Sequence, residues 1–210
     1  MSIDNLRTEV RKLCNFDVRY ICEGEAKYYG LSTNSPANTD GYNIYILDCI
    51  SKEEQVQAEA HELGHIYIKE SGLICLKVLG DDPICFLKLE LNNALSHRFV
   101  VSLVEEYGIS NEVHIYLRKQ SMKTVIKDIM DLKDEPELMH GIGLKLYDIS
   151  VTIPELNREV ERVLRLNNDV KIAYDTAVIF FSKLYPETPK EEQGVLVNRF
   201  FNKLGYTLNV

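Results

Sequence analysis

The stretch AEAHELGHIYIKESG, residues 58–72, holds His61, Glu62 and His65 in the pattern H-E-x-x-H. On a helix, residues four apart stack on one face, so His61 and His65 can offer two imidazole nitrogens to one ion. Glu62 then points to the adjacent side, where it can act as general base on a metal-bound water without itself coordinating. The flanking residues supply the helix. Ser51 and Glu54 form the S-x-x-E capping pattern and Gly72 stops the run, which predicts a helix from about Ser51 to Ser71. Val56, Ala60, Leu63 and Tyr67 form an apolar stripe that can pack on a sheet, which turns the histidines toward a cleft. Gly64 weakens the helix, so its presence predicts a close approach by a neighbouring element.

Upstream, Leu6, Val10 and Leu13 predict a helix over 3–14, and FDVRYIC (16–22) alternates like a strand. AKYYGLST (26–33) and YNIYILDC (42–49) flank the turn-rich NSPANTDG (34–41), which predicts a β-hairpin. The second of these strands reads either as an interior strand or as an edge that an extended peptide could join.

Downstream, LICLKVLGDD (73–82) reads as an irregular connection. Asp82 before Pro83 starts a long helix, and Gly108 stops it after Tyr107. At about 100° per residue, Lys88, Asn92, Ser96 and Glu106 share one side, read as the solvent face. Glu90, Asn93 and His97 lie opposite, in line with Phe86, Val101 and Val104. Three polar groups on a buried face need partners, and a catalytic zinc needs a third protein ligand beside two histidines. Glu90 and His97 are two turns apart, about 10 Å along the axis, so one ion is expected to take one of them. The other would orient a ligand or meet the substrate.

The order helix, strands, hairpin, HELGH, second helix resembles the ImmA/IrrE-type metallopeptidase domain, a compact zincin (gluzincin-like) fold. That resemblance covers about residues 1–108 and rests on HELGH as its one specific motif. It implies a zinc-dependent peptidase that cleaves a specific partner protein, such as a transcriptional regulator. Family members commonly write the second helix as E-x-x-A-N-x-F-A-x-x-L-L, with the Glu as third ligand. Aligned on NALSHRFVVSLV, that pattern places Asn93 where the family has Glu, and His97 where it has Asn. Asn93 is a poor zinc ligand, so the third ligand is His97 or Glu90. His97 is preferred, with Asn93 one turn before it orienting the ring. The same departure favours an alternative, a non-catalytic regulatory or protein-binding module on a zincin-like fold.

From Asn111 onward the chain reads as mostly helical, in SMKTVIKDIMDL, IPELNREVERVLRL, DVKIAYDTAVIFFSKLY and KEEQGVLVNRFFNKL. The expected organisation is therefore α+β: a zincin-like part over 1–110, then an all-helical region over 111–210. Tyr67, Tyr107 and His114 were weighed as oxyanion donors and read as packing or half-buried residues. His140, in LMHGIG, reads as a turn residue with a capping role.

The formal net charge of -8 argues against direct nucleic-acid binding, which needs a basic surface. Arg118, Lys119, Lys123 and Lys127 form a short basic run, but acidic residues follow it closely. There is no apolar signal core near the N-terminus and no run long enough to span a bilayer. Five cysteines (Cys14, Cys22, Cys49, Cys75, Cys85), with no C-x-x-C pair, fit a reducing cytoplasm.

Overall fold

Ser51, four residues past the last strand, begins the helix that carries the motif. Its hydroxyl accepts from the Glu54 N–H, and the Glu54 carboxylate accepts from the Ser51 N–H at 2.8 Å, closing the capping box read from the sequence. The structure is a computed structural model that describes residues 2–78, 80, 83–132 and 134–207. Among these residues the elements run α1 (Ile3–Leu13), β1 (Asp17–Ile21), β2 (Ala37–Thr39), β3 (Asn43–Leu47) and α2 (Lys52–Glu70). They continue with α3 (Pro83–Glu106), α4 (Glu112–Asp131), α5 (Pro136–Thr152), α6 (Asn157–Leu164), α7 (Asn168–Phe181) and α8 (Lys190–Lys203). The class is α+β, a three-stranded sheet in a mostly helical chain. No described helix is long and apolar enough to cross a membrane.

The sheet order is β1-β3-β2, with β1 parallel and β2 antiparallel to β3. The hairpin forms later in the chain than the pattern predicts. AKYY makes a 3-10 turn over Ala26–Tyr29 rather than a strand, and it closes at Gly30 with φ +69°. The first hairpin strand is Ala37–Thr39, inside the segment expected as loop. The cause is local: the Asp40 carboxylate accepts from the backbone N–H groups of Tyr42 and Asn43, at 2.9 and 2.7 Å, which pins the turn there. The edge reading of YNIYILDC is overturned, because β3 lies between two paired strands.

The chain divides into two compact units, residues 1–71 with 99–120, and residues 72–98 with 121–210. The boundary expected after residue 110 falls inside the first unit, because α3 and α4 each run unbroken through both units.

In the first unit, α1 and the sheet pack on α2. Ala60 and Leu63 of the expected stripe are fully buried, whereas Val56 is exposed and Tyr67 half-buried. Burial on α2 extends well round the helix, taking in Gln55, Glu59, Glu62 and Ile66. Glu59 is compensated by Arg7 of α1, whose Nε and a terminal nitrogen donate to its two oxygens at 2.6 and 2.7 Å. Gly64 does meet a neighbour, since a Cβ built there would lie 2.8 Å from Cγ1 of Val100 on α3.

In the second unit, α5 packs most extensively on α7. Its glycines permit this: a Cβ at Gly143 would lie 2.4 Å from the Val170 carbonyl oxygen, and one at Gly141 would strike the Phe86 ring. His140 is therefore no turn residue. It is buried within α5, its Nδ1 2.7 Å from the hydroxyl of Tyr206. The expected solvent face of α3 is also corrected. Asn92 bonds both backbone groups of Leu76 at 2.8 and 2.9 Å, and Ser96 is buried. The expected Asp82 start of this helix lies outside the described residues.

Candidate metal centre

The site begins with the pair that the capped helix α2 places one turn apart. His61 and His65 stand with their Nε2 atoms 3.2 Å apart and their rings edge to face. A third imidazole comes from α4. The Gln57 side-chain oxygen, one turn before His61, accepts the Val113 N–H at 3.0 Å and so ties the start of α4 to α2. Asn111 donates to the Val101 carbonyl at 3.1 Å, which fixes the turn between α3 and α4. His114 is thereby laid on His61, ring stacked on ring with centroids 4.5 Å apart.

His97 arrives on α3, one turn before Val100. Within the first unit, Val100 of α3 meets Gly64 of α2, and because Asn111 ties α4 to this stretch of α3, the same approach seats His114. His97 belongs to the second unit, whereas His61, His65 and His114 belong to the first.

Of the ligands expected from the sequence, His61 and His65 lie together in the first unit. His97 and Glu90 lie on α3 in the second unit. Glu90 does not share the surroundings of His97. It is buried two turns earlier on α3, and its Oε2 has no hydrogen-bond partner. His114, read from the sequence as a surface or half-buried residue, is not among the expected ligands. The available signal was density, since four of the five histidines fall between residues 61 and 114.

The ring of His97 is held by a residue that spacing along α3 does not reveal. Its Nδ1 lies 2.8 Å from Oδ2 of Asp148 on α5, with both side chains buried. Asn93, expected to orient this ring, is half-buried, and the contact to Nδ1 comes from Asp148 instead.

The His61–His65 pair has the spacing to hold a metal ion. Zinc–imidazole bonds of 2.0–2.1 Å in a tetrahedron put ligand nitrogens about 3.3 Å apart, close to the separation in the His61–His65 pair. Imidazole is a good ligand for zinc and for several neighbouring metals. Glu62, between the two motif histidines, is buried, and desolvation pushes its carboxyl up to about 8. A cation beside it would oppose that shift.

A groove of about 460 Å³ runs along the first turns of α2 and α4, lined among others by Pro36, Ile50, Gln57, Val113 and Tyr116. Gln57 stands one turn from His61, and Val113 adjoins His114.

Compared with protein families, curated proteins and solved structures, the chain matches none.

Proposed function

We propose that this chain is a zinc-dependent peptidase of the zincin type, with His61 and His97 among the metal ligands, His65 and His114 beside them, and Glu62 as general base. The observation that carries the reading is the gathering of three imidazoles in the first unit, His61 and His65 with Nε2 atoms 3.2 Å apart and His114 stacked on His61, in a motif that holds the buried Glu62. Zinc, when bound, would polarise the scissile carbonyl and acidify a water. The chain's own residues would do the rest. Glu62, next to His61 in sequence and buried, takes the proton of the attacking water as general base. The groove beside α2 and α4 offers an extended segment of the substrate a place to lie. The substrate we propose is a specific partner protein, as the ImmA/IrrE resemblance implies, such as a transcriptional regulator.

A second reading has one observation in its favour. His114 adds a third imidazole beside His61 and His65 in the first unit, and a fourth ligand would close the shell, as in structural zinc sites. The protein would then be a metal-holding regulatory or binding module. Glu62→Gln separates the two readings. Catalysis requires that the variant bind zinc at wild-type stoichiometry and lose hydrolysis of the partner protein. Unchanged cellular function of that variant would sink the peptidase reading.

A further inference from the structure

We infer that Asp148 is a positioning residue for the metal centre, fixing His97 as the tautomer that carries its proton on Nδ1 and its lone pair on Nε2. The inference rests on the reading of His97 as a metal ligand, and it gives the helical C-terminal region a part in the site.

The geometry argues first. A neutral imidazole has one donor and one acceptor nitrogen. A carboxylate only accepts, so Asp148 Oδ2 at 2.8 Å from Nδ1 requires the proton there. The coordinating lone pair is then on Nε2, across the ring. A carboxylate behind a histidine ligand orients the ring and raises its basicity, and losing such a partner weakens metal binding by about 10–100-fold.

Burial argues second. Asp148 is 1% exposed and His97 3% exposed, and for stability alone apolar residues of similar size serve as well as a buried polar pair. The pair therefore calls for a reason beyond packing, and ligand orientation is one. Rigidity argues third. Gly141 and Gly143 seat α5 tightly against Phe86 and α7, so the Asp148 carboxylate stands on a firmly packed helix rather than a loop. None of this could be seen along α3, because Asp148 is 51 residues from His97 in sequence.

The test has two parts. Two-bond proton–nitrogen correlation spectra of metal-free, histidine-labelled protein read the tautomer directly. The wild type should show His97 protonated at Nδ1, and protonation at Nε2 would overturn the inference. Zinc affinity by chelator competition is then compared among wild type, Asp148→Asn and Asp148→Leu, with His61→Ala as a control for the site. Asp148→Leu should bind zinc about 10–100-fold more weakly, and Asp148→Asn, whose amide oxygen can accept the same bond without the charge, should lose less. Equal affinity in all three folded proteins, with His61→Ala still losing zinc, refutes the role of Asp148 and leaves the metal centre standing. A wild type that binds no zinc refutes both. Should Asp148→Leu fail to fold, the wild-type tautomer and the Asn variant decide the matter.

Discussion

Replacing Gly64 with alanine is expected to weaken both the fold and the metal centre. The added methyl would sit 2.8 Å from Cγ1, 3.4 Å from Cβ and 3.5 Å from Cα of Val100. Comfortable carbon–carbon contact begins at about 3.5 Å, so the shortest approach is too close by about 0.7 Å. Val100 is fully buried and β-branched, and in a helix such a side chain has one strongly preferred rotamer. Either it leaves that rotamer, at about 0.5–1.5 kcal/mol, or α3 retreats from α2. Overpacking of this kind costs about 1–3 kcal/mol, while exchanging Gly for Ala in a helix returns about 1 kcal/mol. The net expectation is a loss of about 0–2 kcal/mol by urea unfolding of the metal-free protein.

The metal is the sharper readout. A retreat of about 0.7 Å exceeds the roughly 0.5 Å within which a site must be held, so zinc affinity should fall about tenfold or more. Adding Val100→Ala removes the obstructing methyl. The double variant should therefore be less destabilised than the sum of the single ones by about 0.5–3 kcal/mol. A Gly64→Ala protein that unfolds at higher urea and binds zinc as the wild type does would refute the argument that this approach seats His114.

Four further outcomes are expected. Arg7→Ala leaves Glu59 buried without its bidentate partner, and thermal or urea unfolding should show a loss of about 3–5 kcal/mol. Glu62 sets a pH dependence in the metal-free protein. Its folded pKa of about 8 lies above its ordinary 4.5, so the folded state holds the extra proton between those values. That contribution to stability is complete below pH 4.5 and is lost as pH rises through 8, so unfolding curves should show a decline that Glu62→Gln removes and bound zinc opposes. Tyr206→Phe deletes the hydroxyl 2.7 Å from the buried His140 Nδ1 and should cost about 1–3 kcal/mol. Burial lowers the His140 pKa below its usual 6.5, so its contribution to stability is full above that pH and falls away as the solution is acidified. Replacing His140 with Gln should flatten this acid limb of the stability profile.

The helix of the motif was legible because its signals are local. A capping box, a closing Gly72 and H-E-x-x-H lie within a few turns of one another, and each acts on the backbone beside it. Gly64 also declared a close approach, though not what approaches it. The hairpin was misplaced because Asp40 binds the backbone N–H groups of two residues just beyond it, and that turn outweighs the β-like composition of AKYYGLST. The glycines of LMHGIG looked like a turn because their packing partners, Phe86 and Val170, are remote in sequence.

The ligand set divides in the same way. His61 and His65 share a helix face by spacing alone, and the long helix singled out His97 by its phase. His114 and Asp148 had no such mark, since each meets its histidine from another helix, 53 and 51 residues away respectively. A one-dimensional pattern reports residues that one helix brings to one face. Ligands gathered from several helices are decided by how those helices pack, and here that packing turns on Gly64, Gly141 and Gly143, where the absent side chain lets a neighbour come close.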